Sequence, residues 1–486
     1  MAERELSQSN PEREALLPEL WFEVIAFLSV QDLLPLSKCS RTLRNISTPV
    51  LFRTFIVHPF AIQDPNQRII RRSLAAMGIR MPGPEDCLQI LGQPHIAQVI
   101  ETFAILPPDI TPRTLHHVRY PVETLTELGS LIDQIFQLLP SLPKLRRLVC
   151  AHFSLTEERV DTLIRLPLKR LQLQLCTLPA ISPVVARAPG TLESVALVFM
   201  PGSWDHIECS AAHVSLFTAL FSSPNLKSIH SVNLNTILLC ISQSPPPSLT
   251  KLHLPIECAT SRYLIPALKL CGSLQSLSFT CRHGRASYNP MPQLPPGSLP
   301  NLESFAGPAE YLPNFIQGTS SLKHVHLIHT EFVQVPASSI HLIHQTIESF
   351  TCSSALVGPF FFPTIHSHFA SSPLKNLTLV SRALEIRESL KDPTLSPFPG
   401  MRQFRARVVT GSWNDREFIV NHFGEYVPLL LRLYPGLEEA EFVHPMLDKT
   451  QLIMAWNRKE AGRDDDGNIG MALKVLEIEE SEAETS

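Results

Sequence analysis

Histidine and cysteine are the residues whose spacing comes nearest to chemistry in this chain. HIECSAAH sets His206, Cys209 and His213 in one short stretch. Imidazole and thiolate are zinc ligands, but a structural zinc takes four of them, and no fourth partner stands nearby. The stretch reads instead as a loop entering a helix. TCRHGR pairs Cys281 with His283 and is equally short of ligands. HVHLIH gathers His324, His326 and His329, with His324 and His326 alternating with Val325 and Leu327. Alternation of that kind belongs to a strand, the imidazoles facing an open side and the apolar pair facing a core. Glycine-rich phosphate loops, the G-x-S-x-G elbow and H-E-x-x-H are all missing, and no hydrolytic triad can be assembled. The sequence therefore assigns no catalytic, cofactor-binding or metal-binding residue, no cofactor, and a non-enzymatic role.

The elements that must position any binding residues follow from composition and rhythm. The chain has 486 residues, 44% of them hydrophobic, and only 18% charged, against about 25% in an average globular protein. Its 43 prolines are dispersed, which predicts frequent turns rather than long helices. A net charge of -4 with no dense basic stripe argues against nucleic acid as a partner. The polar start MAERELSQSNPERE is no signal peptide, and no apolar run approaches the roughly 18 residues of a membrane span. The expected setting is cytoplasmic or nuclear, with the ten cysteines reduced.

From Leu142 a repeat takes over: apolar, two variable, apolar, one variable, apolar. Units start at Leu142, Leu168, Leu192, Leu226, Leu249, Leu274, Leu302, Leu322, Ile347, Leu374, Met401 and Leu437. Most spacings lie in the leucine-rich-repeat range of about 20–29 residues, one strand and one return segment per unit. In LKRLQLQL, Leu171, Leu173 and Leu175 point inward while Gln172 and Gln174 face out. The asparagine usual after the strand is largely missing, with Cys150, Cys176 or Cys281 there instead, so the repeats are irregular. FTALFSSP, LLCISQSPP and LIPALKLCG read as short return helices. GRDDDGN reads as a charged turn, and Ala472 to Ile478 as a last strand that caps the sheet edge.

The opening stretch, Leu16 to Ile46, is helical by spacing. Pro18 suits a first turn, Leu20, Val24, Ile25 and Leu28 recur at helical intervals, and Asp32 caps a second helix holding Leu33, Leu34 and Leu36. Cys39, Leu43 and Ile46 give a third segment a buried face, and Leu51 and Phe52 precede an extended FIV. With LP-E-L, I--FL, DLL-L, CSRTLR and LF in this order, Leu16 to Phe55 resembles an F-box, with Leu43 at a site where members often carry tryptophan. Followed by leucine-rich repeats, the chain resembles the fungal F-box families.

The resemblance implies a three-helix segment that docks on the Skp adaptor of an SCF-type cullin-RING ubiquitin ligase, while the repeats hold a protein client. It implies Leu17, Pro18, Leu20, Ile25, Leu28, Leu33, Leu34 and Leu51 as adaptor-binding residues, with Leu36 and Cys39 close by. Client-binding candidates are the outward strand residues Gln172, Gln174, His253, Ser278, His326 and Thr378, with Lys251, Lys323 and Lys375 nearby. The alternative is a repeat scaffold without ligase association. The expected fold is α/β: a disordered start (1–15), the F-box-like bundle (16–56), a helical linker (57–141), an irregular solenoid with a parallel sheet on its concave face (142–446), and a cap strand with an acidic tail (447–486).

Overall fold

Ser40 decides where the third helix begins. It is extended, and its hydroxyl accepts from the Leu43 amide at 3.1 Å, satisfying one of the donors that a helix start leaves open. The computed structural model describes residues 18–57 except 29, 84–106, 122–178, 190–198 and 211–280 except 233–235; from 294 to 479 it describes the elements named below with their adjoining turns. The chain divides into two compact units, Met1–Pro179 and Ala180–Ser486.

The first unit opens with three helices, α1 (Pro18–Ala26), α2 (Val30–Cys39) and α3 (Arg41–Leu51). Pro18 stands at the first helical position, as its missing N–H allows. Ile25, Leu33 and Ile46, one from each helix, form the buried centre, and Trp21, Leu28, Leu36 and Leu51 pack around it. Cys39, expected on a buried face, is exposed at the end of α2, where its thiol donates to the Pro35 carbonyl at 3.4 Å.

Phe52 ends α3 and strand β1 (Thr54–Val57) follows at once. It pairs in parallel with β2 (Thr102–Ile105), then β3 (Arg147–Ala151) and β4 (Arg170–Gln174) in chain order. The span 57–141 is therefore no helical linker, and the repeats begin well before Leu142. Helices are present in it, at Pro84–Leu91, Pro94–Ala97 and α4 (Val122–Leu138), but they serve as return segments between strands. Phe52, Phe55 and Val57, then Ile100, Phe103 and Ile105, carry the same apolar pattern with phenylalanine in place of leucine. Phe55 stacks on Phe52 at 6.4 Å and on Phe103 at 5.7 Å. Register also corrects the phase of the next unit. Leu148 faces Leu171 and Cys150 faces Leu173, so Leu145, not Leu142, is the counterpart of Leu168.

Arg159 is buried on helix α5 (Glu157–Arg165) and fastens three segments of this unit. Its guanidinium reaches Asp133 of α4 at 2.7 Å, the Gly129 carbonyl at 2.8 Å and the Ser154 carbonyl at 2.5 Å. Cys150 and Cys176 are buried as well, the Cys176 thiol donating to the Cys150 carbonyl at 3.3 Å.

The second unit repeats one arrangement. Its strands are β5 (Ser194–Val198), β6 (Ser228–Val232), β7 (Lys251–Pro255), β8 (Ser276–Thr280), β9 (Ser304–Gly307), β10 (His324–Ile328), β11 (Ser349–Ser353), β12 (Asn376–Ser381), β13 (Gln403–Val408), β14 (Glu439–Pro445), β15 (Thr450–Asn457) and β16 (Leu473–Glu479). From β5 to β14 each is parallel to the next. The repeat-starting residues from Leu192 to Leu437 are buried, as are inward pairs such as Leu252 and Leu254 or Leu377 and Leu379. Each buried side chain contributes about 1.5–3 kcal/mol, while ordering each backbone residue costs about 1–2 kcal/mol. One unit therefore cannot stand alone, and stacking supplies the difference.

Helices Ala211–Phe221, Thr236–Gln243 and Leu264–Leu270 return the chain where the sequence places them. Gly307 occupies an inward position because Phe279 and Phe305 fill its space: a Cβ there would lie 3.0 Å from the Phe305 ring and 3.3 Å from that of Phe279.

The parallel sheet ends at β14. Strands β15 and β16, in the expected cap region, pair antiparallel. Only residues 446–449 join β14 to β15; a parallel return needs a dozen or more. The final strand lies at Leu473–Glu479, one residue from its expected place, while GRDDDGN, residues 1–15 and the acidic tail fall outside the described residues. No described helix is long and apolar enough to cross a membrane.

Gly436 marks a close approach just before β14. A Cβ there would collide with the Pro399 carbonyl oxygen. Gly436→Ala is expected to destabilise the second unit by about 1–3 kcal/mol, read as a lower thermal midpoint by circular dichroism. An unchanged midpoint would show that the two backbones separate freely.

Candidate functional site

Helix α1 is apolar along two adjacent stripes. Trp21, Ile25 and Leu28 recur at i, i+4 and i+7 and face the bundle centre. Leu20, Val24 and Phe27 recur at the same intervals one residue earlier and face solvent, 43%, 40% and 89% exposed. Phe27 is held just past the helix by a tightened last turn, its amide donating to the Val24 carbonyl at 3.1 Å. Leu34 on α2 is 48% exposed, and Val50 on α3 is exposed too. Large apolar side chains left in solvent in this way are candidates for a contact surface.

The expected adaptor-binding residues divide accordingly. Leu20 and Leu34 are exposed. Ile25 and Leu33 are fully buried, so neither can reach a partner without opening the bundle, and Leu28 and Leu51 are half-buried against them. Pro18 opens α1 and Leu17 lies outside the described residues. Val24 and Phe27 were not among the expected residues. Counting the two interleaved stripes separately would have found them, because a helix needs only one to close its own core.

Residues 15–54 match the F-box domain of known families. This segment is an F-box. No curated protein matches the chain. Among solved structures, one described as "Crystal structure of TLR13-ssRNA13 complex" matches at 13% identity and a TM-score of 0.27. The match covers 74% of this chain and 53% of that one, so this chain spans about half of that structure's length. A superposition that loose carries no argument about binding. The F-box is joined here to a leucine-rich-repeat fold, as the parallel strands and their buried apolar pattern show.

Beyond the F-box, the open side of the second unit's strands carries aligned polar rows. His230 faces His253 across β6 and β7, with rings stacked at 4.0 Å, and His253 Nδ1 is hydrogen-bonded to Ser278 Oγ on β8. The same row continues through Ala306, His326, Thr351 and Thr378 to Arg405. Thus His253, Ser278, His326 and Thr378 share one row. Gln172 and Gln174 lie half-buried on β4 of the first unit.

One position before the strands, opposite charges alternate. Lys323 meets Glu303 and Lys375 meets Glu348, each at 3.1 Å. The Lys375 ammonium holds the Glu348 carboxyl below its ordinary value. Solvent screens exposed pairs of this kind, so their effect is on register more than on stability. Two of the three lysines expected near the client are thus committed to carboxylates.

Among the metal-like stretches, His206, Cys209, Cys281, His283 and His329 lie outside the described residues, and His213 falls in helix Ala211–Phe221. Among the described residues no group of three or more His, Cys, Asp or Glu could hold a metal.

Burial lowers the His253 imidazole to about 4, with His230 adding to the shift, and lowers those of His152, His326 and His366. His366 also bonds the Ser396 carbonyl at 2.7 Å and the Tyr434 hydroxyl at 3.1 Å. These groups stay neutral in the fold, whereas the unfolded chain takes up protons once pH falls below about 6.5. Stability is expected to be full above that value and to decline as pH falls from about 6.5 toward 4. Thermal midpoints taken across the window test this, and a flat profile down to about pH 5 contradicts it.

Proposed function

We propose that the chain is the substrate-recognition subunit of an SCF-type cullin-RING ubiquitin ligase. In this reading the F-box docks on a Skp-type adaptor through Leu20, Val24, Phe27 and Leu34, and the open strand faces hold a protein client. The observation that carries it is the second apolar stripe on α1, left in solvent by a bundle whose core is already closed by the first. Covering a large apolar side chain contributes about 1.5–3 kcal/mol, and several together suffice for a stable complex. Chains built on an F-box are typically adaptors without catalytic residues. The role here is to raise the effective concentration of a client beside the ubiquitin-loaded enzyme and to orient it. The test is co-elution of the purified chain with a purified Skp-type adaptor on size exclusion. A one-to-one complex supports the reading; separate peaks at micromolar concentration would leave the repeat scaffold without ligase association.

A further inference from the structure

Charge is unevenly distributed over the second unit. The sequence holds 45 acidic residues against 41 Lys and Arg. Yet no strand from β5 to β13 contains an Asp or a Glu. The open side of these strands carries Lys251, Arg405 and Arg407, all exposed, and the imidazoles of His253, His324 and His326. Among the described residues, Glu193, Glu303 and Glu348 stand one residue before a strand begins, and the last two are neutralised by Lys323 and Lys375. Carboxylates first enter the sheet on β14, where Glu439 accepts from Gln403 at 3.0 Å and Glu441 lies 3.9 Å from Arg405.

Strands that hold exposed Lys and Arg but no carboxylate favour negative charge in a net-negative protein. We infer that the open face of β5–β13 docks an acidic segment of the client, whose carboxylates meet Lys251 and, alongside Glu441 of β14, Arg405. The inference rests on the reading that the repeats hold a client, and it names that client's chemistry. Strand hydroxyls such as Ser276, Ser278 and Thr378 supply neutral donors between the cations. Lys251 on β7 and Arg405 on β13 are six strand spacings of about 4.8 Å apart, roughly 29 Å, which an extended segment of about nine residues spans. Fixed cations so sparse do not suit a polyphosphate backbone, whose binding draws on many Lys and Arg together.

The test uses the full chain and a fluorescein-labelled peptide of about twelve residues alternating Glu and Ser, long enough to cover that span. A Lys–Ser peptide and a single-stranded oligonucleotide of similar length are the comparisons, all read by fluorescence anisotropy. The acidic peptide is expected to bind, and to weaken about tenfold as salt rises from about 50 to about 300 mM. Lys251→Glu with Arg405→Glu is expected to weaken it at least about tenfold, whereas Lys269→Glu, on helix Leu264–Leu270 and off the strands, changes it less than about twofold. Lys251→Ser, which matches Ser228 and Ser276 in register, gives a milder variant that the sheet already tolerates. Four results would overturn the inference: no binding of the acidic peptide, equal binding of the basic one, tighter binding of the oligonucleotide, or indifference to Lys251→Ser and the double variant alike. Adaptor co-elution is run on the same preparations. Peptide binding without adaptor binding sinks the ligase reading and spares the acid-binding face; adaptor binding without peptide binding does the reverse.

Discussion

Phe27→Asp combined with Leu34→Asp is expected to abolish the proposed complex with a Skp-type adaptor, weakening it at least about 100-fold, while the thermal midpoint stays where it was. The magnitude follows from what is lost and what is added. A large anchor at an interface centre contributes about 2 kcal/mol or more, and a carboxylate forced into a dry contact costs several more. The unchanged midpoint follows from exposure: both side chains face solvent in the free chain, and neither belongs to the bundle core. Leu270→Asp is the matched control, an equally exposed apolar residue on a return helix of the second unit. Binding would be measured by calorimetry against purified adaptor. Retained affinity in the double variant, or an equal loss in the control, would remove the α1 stripe from the interface.

Arg159→Met is expected to destabilise the first unit by about 3–5 kcal/mol. Methionine restores the bulk of the stem but none of the donors, so the Gly129 and Ser154 carbonyls and the Asp133 carboxylate all lose a charged partner. Asp133 is half exposed and water can take over there, which places most of the cost on the two carbonyls. Asp133→Asn is accordingly expected to cost less than about 1.5 kcal/mol. With two units in the chain, a single global unfolding free energy is poorly defined. Hydrogen exchange of the α4 and α5 amides is therefore the measurement, and protection unchanged by Arg159→Met would contradict the role given to this side chain.

Most of the second unit was readable because its strands obey one period and use leucine to mark it. The first strands, though FIV was expected to be extended, were not read as repeats for the opposite reason. Phe52, Phe55 and Val57 keep the spacing but change the residue type, and long return segments separate them from the next unit. The antiparallel end was hidden because strand direction depends on connection length rather than on the strand's own residues. In the F-box, spacing identified the helices, and the resemblance gave the partner inward residues along with outward ones. Ile25 and Leu33 look like docking residues to anyone counting leucines; only packing shows that they are consumed within the bundle. Cys39 failed similarly, since a cysteine at a helix end can turn outward and bond a carbonyl. The acid-free strands were visible in the sequence throughout, but their register was needed to show that they form one surface.

Phe52 belongs at once to the end of α3 and to the first apolar position of the repeats, stacked on Phe55. The customary cut between a docking module and a recognition module therefore passes through a single aromatic ring. Exchange of this F-box for another must carry Phe52 and β1 along, or β2 loses its parallel neighbour. Two parts that look separable in the sequence have become one inheritance.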